Sequence, residues 1–230
     1  MAFNSSQELL DQESAELEER VRHEQAAPDE LTGVFTGTLK CDNASCQRVA
    51  AMSGDWRYVW GYSESLGTVL YDDYAVRYIN PAPRLLLTPA KTPIPVVEAV
   101  ALASQLLWSS PDAAASQLRR AVEELLTSLR VKRFELTSKK GGKKRTRRRL
   151  DAHARIKMLP AKHAHLADTL MAVKWIGNTG THESGLTVRD VEDGAALLQL
   201  ALQRLYDTSI DELLAKAGRI NLRKGLPRKR

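Results

Sequence analysis

Residues 109–130 read SSPDAAASQLRRAVEELLTSLR, and this stretch decides the fold class. A serine before Pro111 and an early carboxylate at Asp112 predict a helix from about Pro111 to Arg130. Its apolar residues recur at intervals of three and four: Ala114, Leu118, Ala121, Val122, Leu125, Leu126 and Leu129. A stripe of this length must pack against other elements, which indicates a helical bundle.

Four further helical patterns flank this stretch, near residues 96–107, 150–159, 164–176 and 188–205. The last begins with Thr187 and has Asp190 three residues on, a variant of the capping box. The helix predicted near residues 164–176 is expected to end where Gly177 and Asn178 follow Ile176. Five helices with short connections predict a bundle over residues 96–210.

The chain before the bundle has a different composition. Residues 1–30 are acidic and predict a helix over about 5–25. Residues 31–80 alternate and are rich in β-branched and aromatic side chains, so we expect a small β-rich module with a hairpin turn at Ser53-Gly54-Asp55. Residues 81–95 contain repeated prolines and read as a linker. The predicted fold is therefore α+β, mainly α.

Charge is segregated along the chain, whose formal net charge is +6. Residues 1–30 carry nine acidic and two basic side chains, whereas residues 132–149 carry ten basic and one acidic, and residues 216–230 carry seven basic and none acidic. We expect a mobile insertion at 132–149 and a basic tail at 211–230. Such arms either remain solvated or bind RNA or DNA through phosphates, using Lys139, Lys140, Lys143, Lys144, Arg145, Arg147, Arg148 and Arg149. The acidic N-terminal helix could dock a basic protein partner.

The chain has two cysteines, Cys41 and Cys46, too few for a disulfide framework. They are half of a structural zinc site, so zinc would need further ligands, and buried reduced thiols are the alternative. We expect no other cofactor. No histidine spacing points to a metal, and His153, His163 and His165 are expected at the surface. The sequence has neither a bilayer-length apolar run nor a secretory signal, so we expect a cytoplasmic protein with no membrane partner.

Several short motifs occur in an order that resembles the domain of unknown function 4145 family. They lie within roughly residues 38–206, at Cys41 to Cys46, Pro81 to Pro83, Pro93 to Pro95, Trp108 to Ala115, Arg119 to Glu123 and Lys174 to His182. That family is similar to the HEPN superfamily of helical bundles. The resemblance implies a HEPN-like bundle, a homodimer and a setting in prokaryotic defence against foreign nucleic acid.

The resemblance also implies a candidate site. Catalytic HEPN members are metal-independent RNases with an Arg-x(4–6)-His motif, in which histidine moves a proton and arginine steadies phosphate charge. Here His182 and Asn178 match the motif, Gly177 stands at the arginine position, and Lys174 is the nearest upstream cation. The family pattern includes Arg119 and Glu123, one of which we expect near Asn178 and His182. Three functions remain open: a nucleic-acid-associated accessory protein, an RNase, and a structural adaptor.

Overall fold

The computed structural model describes residues 2–9, 12–23, 26–138, 145–182 and 185–225. The protein is α+β, about 52% helical and 23% strand, as the sequence predicts. It divides into two compact units. The first comprises Met1–Pro83 with Ser104–Pro111, and the second comprises Arg84–Ala103 with Asp112–Arg230, so the first division falls inside the proline-rich segment.

The first unit is built on an antiparallel sheet whose four strands follow chain order: β1 (Ala2–Leu9), β2 (Thr32–Lys40), β3 (Val49–Ser63) and β4 (Gly67–Asn80). Helix α1 (Gln12–Arg22) and a 3₁₀ turn (Pro28–Glu30) connect β1 to β2. The predicted helix over 5–25 is therefore wrong in its first part. Residues 2–9 pair with β2, in a register that sets Phe3 opposite Leu39, and this pairing outweighs their local preference.

The sheet buries one apolar cluster. Phe35, Met52 and Trp56 are almost fully buried, and Phe35 meets Tyr74 edge to face with ring centroids 4.9 Å apart. The turn predicted at Ser53-Gly54-Asp55 is wrong, because these residues lie inside β3 at a register shift against β4. Glycine is required at Gly54 because a Cβ there would lie 2.0 Å from the carbonyl oxygen of Ala75. The glycine thus marks a bulge rather than a chain reversal.

The remaining helices follow β4 in the chain, with one hairpin among them. They are α2 (Ile94–Leu106), α3 (Pro111–Ser128), α4 (Ala152–Lys157), α5 (Ala167–His182), α6 (Val188–Tyr206) and α7 (Ser209–Arg223). A 3₁₀ helix (Ala161–Leu166) precedes α5, and strands β5 (Phe134–Ser138) and β6 (Arg145–Arg149) connect α3 to α4. The core of the second unit contains fully buried Leu118, Val122, Leu125, Leu126, Ile156, Leu166, Leu170, Val173, Leu198 and Leu202.

Several helix starts agree with the sequence. At α6 the Thr187 hydroxyl accepts a hydrogen bond from Asp190 N at 3.3 Å, and the Asp190 carboxylate accepts one from Thr187 N at 2.8 Å. At α4 the Asp151 carboxylate accepts a hydrogen bond from Ala154 N at 2.7 Å. These bonds satisfy first-turn amides, so the predicted capping box is confirmed.

The charged segments contain secondary structure that the sequence analysis did not predict. The insertion at 132–149 contains a paired hairpin, in which β5 and β6 align Phe134 with Arg149. The segment predicted as a basic tail from 211 is helical as far as Arg223, and residues 226–230 lie outside the described chain. No helix in the described ranges is both long enough and apolar enough to span a bilayer.

Candidate functional site

Helix α5 carries the candidate motif without interruption. It runs from Ala167 to His182, so the helix end predicted at Gly177 and Asn178 is wrong. In a continuous helix, residues four apart lie on one side, which places Lys174, Asn178 and the backbone of His182 along a single edge. The side chain of His182 lies outside the described part of the chain.

The glycines of the motif permit a close approach of two helices. A Cβ on Gly177 would lie 2.5 Å from Arg119 Cβ and 2.8 Å from the carbonyl oxygen of Ala115. A Cβ on Gly180 would lie 2.6 Å from the carbonyl oxygen of Asp112. Gly177 and Gly180 therefore lie inside α5, although glycine often ends a helix, because any larger residue would push α5 away from α3.

This crossing brings α3 to the motif. Arg119 packs at Gly177, the residue before Asn178, and its guanidinium lies 3.6 Å from the carboxylate of Glu123 on the next turn. Both side chains are about one quarter exposed. The second carboxylate oxygen of Glu123 lies 3.6 Å from Arg149 on β6, so Glu123 connects the α3 surface to the hairpin.

Lys174 is buried, with 7% of its surface exposed. Its Nζ lies 3.2 Å from the ring centroid of Trp175, which is 52% exposed. Burial lowers the pKa of Lys174, the charge of Arg119 lowers it further, and Asp151 partly opposes both. A cation held under these conditions is easier to neutralise than a surface lysine, and the indole face stabilises its charged form.

Asn178 Oδ1 and His153 Nδ1 are buried and have no hydrogen-bond partner among the described residues. The His153 ring packs edge-on against Trp175 at 5.9 Å, so the expected surface position of His153 is only partly correct. An unpaired buried acceptor is costly. A ligand donor or an ordered water reaching these atoms would remove that cost.

The hairpin presents its arginines on a defined strand. Arg147 stacks on Phe134, with its guanidinium carbon 3.7 Å from the ring centroid. Arg148 Nε donates to Glu135 at 2.7 Å. Arg147, Arg148 and Arg149 are all exposed, and Leu136 on the facing strand is 67% exposed. Only the backbone of Arg145 is described, and Lys139, Lys140, Lys143 and Lys144 lie outside the described residues.

The two cysteines lie in the loop between β2 and β3. Hydrogen bonds with the backbone of Arg48 and with the Cys41 thiol lower the pKa of the Cys46 thiol. Cys46 is exposed and Cys41 half-buried, so the fully buried thiols proposed as the alternative to zinc are not found. Within the described ranges, no three histidine, cysteine or acidic side chains are grouped to hold a metal ion. Two thiols alone do not fit a structural zinc, which takes four ligands.

Comparison with known families gives one match. A family described as a domain of unknown function (DUF4145) matches residues 102–223, more than half of the chain. The chain belongs to this family. The match covers α3, the hairpin, α5 and α6, and it ends at the last residue of α7. No curated protein and no solved structure matches the chain.

Some neighbours of Lys174 were missed by sequence reasoning. Asp151 could be expected only as a helix cap, and His153 and Trp175 are brought together by the α4–α5 contact rather than by sequence spacing. One feature of the sequence could have pointed to these neighbours: Trp175 follows Lys174 on a helix whose other apolar residues are smaller. By contrast, the pairing of Arg119 with Glu123 follows directly from their i,i+4 spacing.

Proposed function

We propose that this protein is a HEPN-like, nucleic-acid-associated accessory protein that binds RNA or DNA through its β5–β6 hairpin. The observation that carries the proposal is the row of exposed arginines on β6, with Phe134 and Leu136 on the paired strand. Guanidinium groups neutralise phosphates, and apolar or aromatic side chains between them accept stacked bases. The HEPN-like fold and the setting in prokaryotic defence rest on family resemblance alone, and the cytoplasmic location rests on the expectation from the sequence.

The charge balance of the hairpin supports binding to a polyanion. Arg148 is paired with Glu135, and Arg149 lies near Glu123, but Arg147 meets an aromatic ring instead of a carboxylate. The sequence adds Arg145 and four lysines at 139–144 with no acidic residue among them. The hairpin therefore carries an excess of positive charge that phosphates can neutralise. A hairpin that was only solvated would have no use for so many like charges close together.

The test compares Arg145→Gln/Arg147→Gln/Arg148→Gln/Arg149→Gln with a matched quadruple variant, Arg57→Gln/Arg77→Gln/Lys157→Gln/Lys162→Gln. Both sets remove four charges, and the control residues are exposed cations outside the hairpin. Affinity for a fluorescent single-stranded RNA is measured by anisotropy between low and moderate salt. The hairpin variant should lose about 2 to 3 from the slope of log affinity against log salt, because each single-strand phosphate contact contributes about 0.7. Equal losses in both variants, or no binding by the intact protein, would contradict the proposal.

The second candidate function is a metal-independent RNase using His182 and Asn178, with Lys174 as the cation. One observation favours it: Arg119 Cβ packs against Gly177, which stands at the position of the motif arginine, so α3 brings an arginine up to α5 at this point. Histidine would move the proton during attack by the ribose 2′-hydroxyl, while Arg119 and Lys174 would stabilise charge on the phosphate.

His182→Ala separates the two functions. For an accessory protein we expect no RNA cleavage to lose, and a free energy of unfolding lowered by about 1–3 kcal/mol if His182 holds the end of α5 by hydrogen bonds. For an RNase, cleavage that resists chelators should fall by about 10²–10⁴-fold while the melting temperature stays unchanged. Arg120→Gln, next to Arg119 on α3, is the matched control for Arg119→Gln in the same assay.

The proposal includes a homodimer and a docking role for the acidic N-terminal helix. Helix α1 exposes several carboxylates and has little apolar surface, with Leu17 and Val21 only half-buried. Such a helix suits a basic protein partner held by charge rather than by apolar burial. Loss of that partner on neutralising Glu16, Glu18 and Glu19, without change in RNA affinity, would support the adaptor role.

A further inference from the structure

Trp175 is an exposed tryptophan on α5, directly after the buried Lys174. Its exposed fraction is 52%, although a tryptophan side chain is large and mostly apolar. The Lys174 ammonium lies over the ring, 3.2 Å from its centroid, and the rings of His153 and Trp175 meet edge to face at 5.9 Å. The indole is therefore held by a cation on one face and by a neighbouring ring, while half of the residue is open to solvent.

An open indole held in this way is suited to a planar ligand. Leaving half of a tryptophan exposed forgoes stabilisation that closer packing would give. A cation against one face restricts the ring, which reduces the conformational entropy that a ligand must overcome when it stacks. Every nucleic acid base has a π face and can stack on an aromatic side chain. A base therefore fits the open part of Trp175.

Trp175 belongs to the same unit as the β5–β6 hairpin, and the chain joins the two closely. Arg149 ends β6, and His153, which contacts Trp175, follows four residues later. Four residues span at most about 14 Å, and the phosphates of one strand follow one another at about 3.4 Å even in a duplex. A strand of a few nucleotides therefore reaches from the β6 arginines to Trp175.

The hairpin face that carries Arg147 and Arg149 is connected to α5 through α3. Residues two apart in a strand share a face, and Arg149 on this face lies 3.6 Å from Glu123 of α3. Glu123 also lies 3.6 Å from Arg119. Burial lowers the pKa of Lys174, and the charge of Arg119 lowers it further, so these two cations are near each other. The path from the hairpin to Trp175 is thus continuous within one unit.

The charges beside Trp175 are balanced, whereas those of the hairpin are not. Arg119 and Lys174 are accompanied by Glu123 and Asp151, and Lys174 is only 7% exposed. Phosphates therefore find their partners on the hairpin, and Trp175 offers a surface to a base without adding an ionic contact. Bases inside a duplex are already stacked on their neighbours, so this arrangement favours an unpaired base.

We propose that Trp175 is a stacking platform for an unpaired base of a strand whose phosphates lie on the β5–β6 hairpin. The ligand is therefore single-stranded nucleic acid rather than a duplex, and its base lies on the indole face away from Lys174. This inference rests on the proposed nucleic-acid binding by the hairpin, to which it adds a second contact of a different chemical kind.

The first test measures the affinity of the full chain for a fluorescent single-stranded RNA and for a duplex of the same sequence. Trp175→Leu should weaken single-strand binding at least about fivefold, because it removes the ring on which a base stacks. The salt slope and the duplex affinity should stay unchanged, since no phosphate contact is lost. Trp60→Leu is the matched control, because Trp60 is 53% exposed on β3 of the first unit and should leave both affinities unchanged.

The second test follows the ring itself by tryptophan fluorescence. A base that stacks on an indole quenches its emission, so an unlabelled single strand should quench part of the emission of the wild type. Trp175→Phe keeps an aromatic ring for stacking and should bind nearly as tightly as the wild type, but that part of the quenching should disappear. Lost quenching with retained affinity cannot come from an unfolded variant.

Three results would overturn the assignment. One is unchanged single-strand affinity in Trp175→Leu while the hairpin variant still loses salt slope, which leaves the proposed function intact and removes only the stacked base. Another is quenching that persists in Trp175→Phe. The third is an oligomer that Trp175→Leu dissociates in sedimentation, with no quenching of the wild type by the single strand, which would make Trp175 a contact between protein chains. If the intact protein binds no nucleic acid, the proposed function fails and this assignment fails with it.

Discussion

Arg155 and the β6 arginines are the same residue type in the same unit, but they differ in what surrounds them. Arg155 is 3% exposed and donates to Glu123 O at 3.1 Å, to the Thr127 hydroxyl at 2.9 Å and to Val131 O at 3.4 Å. The side chains of Arg148 and Arg149 are 65% and 68% exposed and face single carboxylates. The net charge of the chain therefore conceals two classes of cation.

The buried arginine has a structural role at the end of a helix. Its acceptors lie in the last turns of α3 and just beyond it, where the helix dipole is negative. Burial lowers the pKa of Arg155, and Glu123 partly offsets this. Among the described residues, Arg147, Arg148 and Arg149 have no comparable set of backbone acceptors, which leaves their donors available to a partner.

The largest effect on stability should come from Arg155→Met. The change removes the guanidinium that donates to the Thr127 hydroxyl oxygen and to the carbonyl of Val131, so the free energy of unfolding should fall by roughly 3 kcal/mol. Urea unfolding followed by circular dichroism measures it. RNA affinity at temperatures where the variant is folded should be unchanged; a loss there would place Arg155 with the binding arginines.

Gly177→Ala should have the next largest effect. The added Cβ meets Arg119 Cβ and the Ala115 carbonyl, and overpacking of this kind costs about 2 kcal/mol. Gly218→Ala on α7 is the matched control, because nothing lies within 4 Å of its added Cβ. Alanine favours helix over glycine, so the control should be neutral or stabilising by up to about 1 kcal/mol. Equal behaviour of the two variants would show that α5 does not depend on the close crossing.

Lys174→Met should change stability by about 1 kcal/mol or less at neutral pH, because loss of the contact with Trp175 offsets relief of the buried charge. The pKa of Lys174 is lowered in the folded protein, so the unfolded chain binds more protons between the folded value and 10.5. Wild-type stability should therefore rise relative to the variant as pH increases through this window. Parallel unfolding curves of both proteins from neutral to alkaline pH test the sign; a fall would mean that the charged lysine is favoured.

The smallest effect on stability should come from Arg148→Gln. Its ion pair with Glu135 is exposed, and such pairs contribute about 0.5 kcal/mol or less. The same variant should still weaken RNA binding and reduce its salt slope, because it removes a guanidinium that is accessible to phosphate in the wild type. Glu135→Gln is the control, because it removes the same pair but leaves the cation in place. A marked loss of stability in either variant would show that the Arg148–Glu135 pair has a structural role, as Arg155 does.

Helix existence and capping could be predicted because they depend on neighbouring residues. The apolar spacing of α3 and the Thr187 and Asp190 box act within one element. Gly177 and Gly180 could not be read correctly, since their role is set by α3, some 60 residues earlier in the chain. The strand at 2–9 was missed because its partner is β2, and α7 was missed because its basic residues obscured the spacing of Leu213, Ala217 and Ile220.

The candidate site was predictable to a similar degree. The motif gave Lys174, Asn178 and His182, and i,i+4 spacing gave Arg119 with Glu123. Contacts between helices then supplied His153 and Asp151, for which no sequence pattern exists. The hairpin could have been suspected from alternation of Phe134 and Leu136 with polar residues, but the density of positive charge favoured a loop.

The grouping of residues 104–111 with the N-terminal unit has a practical consequence for dissecting the molecule. The chain passes from one unit to the other three times, after Pro83, after Ala103 and after Pro111. A cut in the proline-rich segment would therefore separate residues 1–83 from Leu107, which is 5% exposed in the intact chain. Residues 84–230 would contain the whole second unit, but residues 1–83 would lack part of the first, so division at the apparent linker should leave the N-terminal fragment incomplete and unstable rather than yield two domains.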